Sequence, residues 1–252
     1  FTGISVESGN VTVNGNMVER ATGADVSSTN GIRVNDFVGG VTYNDITLDD
    51  NTVSGFENGV RLGSGTTGGS TLAISASDNT ITDNSRGIWV RNDAHVTAHN
   101  NTITGNTTGA ELLAGSNGSF DATNNYWGTA VLATIDASVV GNADFDPYYV
   151  DEVGGILSDV PVTAVYVDDN YSDGIAGDHI FGYDAFATIQ EGIDAVNAGG
   201  TVHVAEGTYA ENVSVNGESN LTIQGVGDTT IVEPASGIGF AITSSNGTTI
   251  KN

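Results

Sequence analysis

Three stretches of this chain repeat one another. "DNTVSGFENGVRL" (50–62), "DNTITDNSRGIWV" (78–90) and "NNTITGNTTGAEL" (100–112) each run Asn, Thr, a β-branched residue, then Gly eight positions after the Asn (51/59, 79/87, 101/109). The Asn-to-Asn steps are 28 and 22 residues, "TNNYWG" (123–128) places Asn125 a further 24 along, and a weaker copy, "TNGIRVN", starts at Thr29. A unit this short cannot bury an apolar face alone. It must stack on its neighbours, which is the logic of a solenoid. Each repeat is therefore expected to be one coil, joined to the next through parallel strands. Val53, Ile81 and Ile103 then fill one inward column. The repeated Asn bond amide to amide from coil to coil as a ladder. Gly59, Gly87 and Gly109 are expected at a corner that needs positive φ. "GSGTTGGST" (63–71) lengthens one step and reads as a Gly-rich loop inserted between coils.

Composition agrees with strands and turns: there are 35 Gly and 3 Pro in 252 residues, and Asn, Thr, Ser, Val and Ile abound. Six Lys and Arg stand against 31 Asp and Glu, a formal charge of −25. That excludes nucleic acid and anionic membrane as partners, because phosphate binding needs a basic footprint. It suits Ca²⁺, cationic partners or a saline environment. No cysteine is present, so thiolate metal sites, thiol nucleophiles and disulfides are excluded. No apolar run of membrane-spanning length occurs, so no direct membrane insertion is expected. The chain starts at Phe1 rather than Met, as a processed protein or an excerpt would.

The repeats resemble the right-handed parallel β-helix coils of the pectate-lyase-like superfamily, especially the Asn-rich coils of NosD-type and carbohydrate-binding proteins. "NNYWG" is similar to a late-coil motif of bacterial and archaeal surface proteins of that kind. The resemblance implies an all-β right-handed parallel β-helix at an extracellular or cell-surface location. It does not settle function, since this fold hosts lyases, hydrolases, epimerases, adhesins and inert spacers.

After "DFDPYYVDE" (144–152) the pattern changes. Thr188 and Glu191 make a capping-box pattern, Phe186, Ile189, Ile193 and Val196 recur at helical spacing, and "AGG" (198–200) ends the run. This predicts one short capping α-helix near 185–197. "TVHVAEGTY", "ENVSVNG", "NLTIQGVG" and "TTIVEPASG" read as strands of early coils. The expected organisation is late coils over 1–150, a linker over 151–160, and a capping helix with early coils over 161–252. Joined end to end, "SSNGTTIKN" and "FTGISVESGNVTVNGN" read as unbroken coil sequence, so residue 1 of a next unit would continue the coil of residue 252. Three readings follow: a unit of a tandem array, a subunit stacking head to tail on copies of itself, or a fragment of a larger enzyme or adhesin.

For chemistry, "GIWVRNDAHVTAHNN" (87–101) is the richest stretch. Trp89 could stack a sugar, while Arg91, His95 and His99 supply the polar and proton-transfer groups of a polysaccharide lyase, epimerase or glycan-binding adhesin. The alternative is an ordinary polar face. Arg33, Arg61, Trp89 and Glu111 align as one outward column, more readily a surface ladder than a ligand face. Asp168, Asp169, Asp173 and Asp178 in "DDNYSDGIAGD" (168–178) suit Ca²⁺, though the EF-hand order fails. "ADFDP" (143–147) is a second, weaker acidic stretch, and His203 reads as a plain strand residue. The four histidines lack metal-ligand spacing, so a NosD-like copper role has no residue support, and no cofactor is required. Sequons at Asn10, Asn100, Asn106, Asn117, Asn170, Asn212, Asn220 and Asn246 would carry glycans in an archaeal or eukaryotic source. The favoured function is a structural unit of an extracellular filament or sheath.

Overall fold

Every ladder between named strands is parallel, and each strand pairs with its counterpart one repeat away. The computed structural model describes residues 1–20, 27–35, 42–65 and 71–252. Residues 66–70 of the expected Gly-rich loop lie outside the described residues. The chain divides into two compact units, Phe1–Gly128 with Leu132–Ser158, and Thr129–Val131 with Asp159–Asn252.

The first unit is a right-handed parallel β-helix, the hand that parallel crossovers take. Sheet A stacks Thr2–Val6, Asn30–Val34, Asn58–Leu62, Arg86–Val90, Thr108–Leu112 and Val139–Val140. Sheet B stacks Val11–Asn14, Tyr43–Asp49, Leu72–Ser77, Ala94–His99, Ser119–Asp121 and Ala143–Asp144. Sheet C stacks Met17–Glu19, Thr52–Ser54, Thr80–Thr82 and Thr102–Thr104, and single bridges at Tyr126 and Tyr149 extend it. The inward column Val53–Ile81–Ile103 forms as expected and is fully buried. Parallel columns in sheet A hold Ile32, Val60, Ile88 and Ala110, and beside them Val34, Leu62, Val90 and Leu112.

The Asn ladder is complete over four coils. The Asn79 side-chain oxygen accepts from the backbone N–H and Nδ2 of Asn51; Asn101 does the same for Asn79, and Asn125 for Asn101. Each Nδ2 also donates to backbone carbonyls, for Asn101 those of Ala76 and His99. The residue before each ladder Asn is left-handed: Asp50, Asp78, Asn100 and Asn124 have φ of 54°, 56°, 59° and 54°. Asp and Asn tolerate this region better than other side chains. That local bend turns the ladder amide into the core. A second ladder runs Phe56 N–H to Asn84, then Asn84 to Asn106.

The positive φ expected at Gly59, Gly87 and Gly109 is not found; all three lie within strands of sheet A. Their reason for being glycine is close approach. A Cβ at Gly59 would lie 2.9 Å from the Gly87 carbonyl oxygen, and one at Gly87 would lie 2.4 Å from that of Gly109. Gly3 and Gly31 sit in the same column under the same constraint.

A helix not expected from the sequence, α1 (Leu132–Ser138), packs beside the late strands of sheet A and buries Ile135. In "NNYWG", Asn125 is the last amide of the ladder, donating to the Ala98 and Ala122 carbonyls, and Trp127 is buried edge-on to Phe145 at 6.4 Å.

The second unit has sheet D, in the order Ala185–Phe186, Ala164–Val167, Thr201–Val204, Thr222–Gln224, Thr249–Lys251. Two further parallel pairs, Gly207–Tyr209 with Thr230–Val232 and Val213–Asn216 with Phe240–Thr243, form the other sides. The predicted capping helix is α2 (Ile189–Ala195), shorter than the expected 185–197. Phe186 belongs to a strand, not to the helix. The capping box of Thr188 and Glu191 is present. Glu211, from a later turn, also accepts the N–H groups of Ile189 and Gln190. Thr188→Ala is expected to lower stability by about 1 kcal/mol, since Glu211 still covers two of the orphan donors; urea denaturation measures it.

Candidate ligand-binding faces

Trp89 lies on the outer face of sheet A, where three guanidinium groups surround its ring. The Cζ atoms of Arg91, Arg86 and Arg61 stand 4.5, 4.9 and 5.8 Å from the ring centroid. The column read from the sequence is real: Arg33 pairs with Arg61, Arg61 with Trp89, and Trp89 with Glu111. Part of it is the expected surface ladder. Arg33 bridges to Glu7 at 3.1 Å, and Arg86 to Glu111 at 2.7 Å and Glu57 at 3.6 Å. Burial, with the fields of Arg91 and Arg33 added, pulls the Arg61 guanidinium down to about 10. Burial also lowers Arg91.

The structure does not bring Trp89 and Arg91 together with His95 and His99. The turn at Arg91–Asp93 carries the chain from sheet A to sheet B, so the histidines lie on a different sheet. His95 Nδ1 stands 3.0 Å from Ser119 Oγ. His99 Nε2 is 3.0 Å from Asp121 and 3.1 Å from the Thr123 hydroxyl. His95, Ser119 and Asp121, with Asp45 and Ser75, line an open groove of about 560 Å³. Asp121 was not among the residues that the sequence singled out. The signal was the 24-residue step that seats Asp121 against Thr97, two residues before His99 on the same face of the strand.

Burial pushes the Asp121 carboxyl up, but hydrogen bonds from His99 and from the Thr123 amide and hydroxyl more than reverse this, holding it below the usual range. A depressed carboxylate stabilises the fold fully above its unfolded value of about 3.9, and that stabilisation fades as pH falls through the folded value. The stability gap between wild type and Asp121→Asn should therefore be present at neutral pH and close on acidification below about pH 4; thermal unfolding across that range reads it.

The remaining sequence candidates are dispersed. Asp168, Asp169, Asp173 and Asp178 do not converge: no three His, Cys, Asp or Glu groups among the described residues could share a metal ion. Asp168 and Asp169 instead accept hydrogen bonds from Asn170. Asn10, Asn100, Asn117, Asn170, Asn212, Asn220 and Asn246 are exposed, whereas Asn106 is half-buried and donates its Nδ2 to the Ile81 carbonyl. His203 does sit in a strand, and its ring stacks on Tyr166, which stacks on His179.

A family model described as "Periplasmic copper-binding protein (NosD)" matches residues 2–140, more than half of the chain. No curated protein and no solved structure matches. Copper favours clustered imidazole, thiolate or thioether donors. Here there is no Cys, the single Met is Met17, and His95 and His99 are each engaged with Ser, Thr or Asp side chains. The donor set among the described residues does not fit a copper centre. What the matched segment shares with its model is the stack of coils, and on that ground the chain belongs to the NosD family of parallel β-helix proteins.

Proposed function

We propose that this protein is a structural β-helix unit working outside the cytoplasm, whose coil stack is continued end to end by further copies of itself. The family description is periplasmic, and no described helix is long and apolar enough to cross a membrane. The observation carrying the reading is the state of the outermost coils. In the first unit, Ile4, Val11 and Val18 stack on Ile32, Ile46 and Val53, which are buried, yet they are only half-covered themselves. In the second unit, Ile242 and Ile250 stack on buried Val215 and Ile223 but are 46% and 44% exposed. Among the described residues, the outermost strands at both edges pair on one side only, which favours pairing with another strand.

The two edges carry related strand patterns. Thr249–Lys251 has the Thr-Ile pattern of sheet C strands such as Thr80–Thr82. In the first unit such a strand is followed, after a three-residue corner, by a sheet A strand with Gly at its second position. Thr2–Val6 has that Gly at Gly3, and Asn252 with Phe1 of the next copy would make the corner one residue shorter than in the first unit. A contact that repeats without closing gives a fibre.

Electron microscopy of the native material, with a denaturing gel of the same sample, tests this. Fibres with an axial repeat of one unit are expected. The gel then distinguishes a long tandem chain from separate ~26 kDa subunits, the size that 252 residues dictate. Dispersed monomers under all conditions would refute the proposal. Ile250→Glu, which puts a charge on the open column, is expected to abolish end-to-end growth of separate subunits while leaving the fold intact.

A further inference from the structure

We propose that the arginine-rich face around Trp89 binds an acidic saccharide, a sugar bearing a carboxylate or sulfate group. The first ground is placement. Four of the six cationic side chains of a chain with formal charge −25, namely Arg33, Arg61, Arg86 and Arg91, gather on or beside one face of sheet A. Stacking does not demand this, because Ser5, Thr108 and Glu111 fill equivalent positions on neighbouring coils.

The second ground is that the cluster is not neutralised from within. Glu7 serves Arg33, and Glu57 and Glu111 serve Arg86. Among the described residues, neither Arg61 nor Arg91 has a carboxylate partner. Arg61 lies in the field of the Arg91 and Arg33 guanidiniums, on coils about 4.8 Å apart. An anion from outside would relieve that repulsion.

The third ground is a pair of orphan donors. The indole Nε1–H of Trp89 and the Nε–H of Arg91 are shielded from water and meet no acceptor. A buried donor without a partner is costly, and an oxyanion around which the half-exposed arginine side chains rearrange would offer one.

A half-exposed indole beside charge-assisted donors suits a sugar ring that carries an anionic group. Nucleic acid fits poorly, since an extended polyphosphate meets the acidic remainder of the surface. A short acidic oligosaccharide meets mainly the local arginines, because charges beyond about 8 Å are screened at physiological salt. The groove beside His95 belongs to sheet B and takes no part.

The test is a titration of the single chain, followed by tryptophan emission and by calorimetry, at about 0.15 M ionic strength. The probes are an oligouronate, a sulfated oligosaccharide, a neutral oligosaccharide of similar length, inorganic sulfate and polyglutamate. Saturable binding of either acidic sugar, with the neutral one inert, is expected. The emission change should vanish in Trp89→Phe, which keeps Trp127. Arg61→Gln and Arg91→Gln should each weaken binding about tenfold or more, with Arg61→Lys recovering part of the loss. Unchanged circular dichroism confirms that these variants fold. No response to either acidic sugar, or equal binding of the neutral one, overturns the proposal. A full response to sulfate alone overturns it in favour of an adventitious ion only. Tighter binding of polyglutamate overturns it in favour of an acidic protein, a second copy included. Because the Trp89 strand lies inside sheet A and not at an end of the stack, the outcome is separable from that of end-to-end assembly.

Discussion

Replacing Asn101 by alanine is expected to destabilise the first unit by about 4 kcal/mol, among the largest effects of any single side chain. The Asn101 oxygen is the acceptor for both the backbone N–H and the Nδ2 of Asn79. Its own Nδ2 donates to the Ala76 and His99 carbonyls and to Asn125. All three ladder residues are at most 3% exposed, so water cannot replace what is lost. A buried donor left unmatched costs about 1–3 kcal/mol, and at least the Asn79 amide is stranded, with a side-chain cavity added. Asn101→Asp keeps the acceptor but loses the donors and buries a charge, so it is expected to be no milder. Asn106→Ala, in the half-buried second ladder, should cost only about 1–2 kcal/mol. Urea denaturation of the three variants checks the order. A cost for Asn101→Ala no greater than that for Asn106→Ala would show that the ladder does not hold the stack.

The second large effect is expected at Gly87. Its substitution by alanine should cost about 3 kcal/mol, the scale of a strong overpacking. The added carbon would lie 2.4 Å from the Gly109 carbonyl oxygen, and 3.1 Å from Ile103 Cγ2 and Asn106 Nδ2. The nearest of these atoms is backbone held in the next coil, so relief requires the coils to separate. Gly115 is the informative comparison. Its φ is +77° and nothing lies within 4 Å of the carbon it would gain. Gly115→Ala therefore suffers only backbone strain, about 1 kcal/mol. Thermal unfolding of both separates the two reasons for glycine, and a smaller loss at Gly87 than at Gly115 would refute the close-approach account.

That pair also shows why the sequence misled at the glycines. Recurrence at Gly59, Gly87 and Gly109 said that no side chain fits, and a turn is the commoner reason. The true bends fall one residue before each ladder Asn, at Asp50, Asp78, Asn100 and Asn124. These were visible as "DN" and "NN" pairs, but Asp and Asn are unremarkable in a polar chain. Helix α1 was missed because seven residues span only two turns and bury one side chain, Ile135, which leaves no period to detect. His99 and Asp121 are 22 residues apart and meet only because the coils stack. In the other direction, "GIWVRNDAHVTAHNN" is contiguous, yet the turn at Arg91–Asp93 sends its two halves to different sheets.

The sequence by itself determined the repeat, and with it the coil, the buried column through Val53, Ile81 and Ile103, the Asn ladder and the outward row of Arg33, Arg61, Trp89 and Glu111. A solenoid pairs each residue with its counterpart one period away, so periodicity is already a contact map along the axis. Contacts around the coil were decided only by the tertiary structure. Whether Trp89 faces His99 or three arginines depends on corner angles between sheets, and whether a glycine serves a bend or a close approach depends on backbone from the neighbouring coil. Neither is written in the spacing of one repeat, because both are set by how successive coils lie against one another.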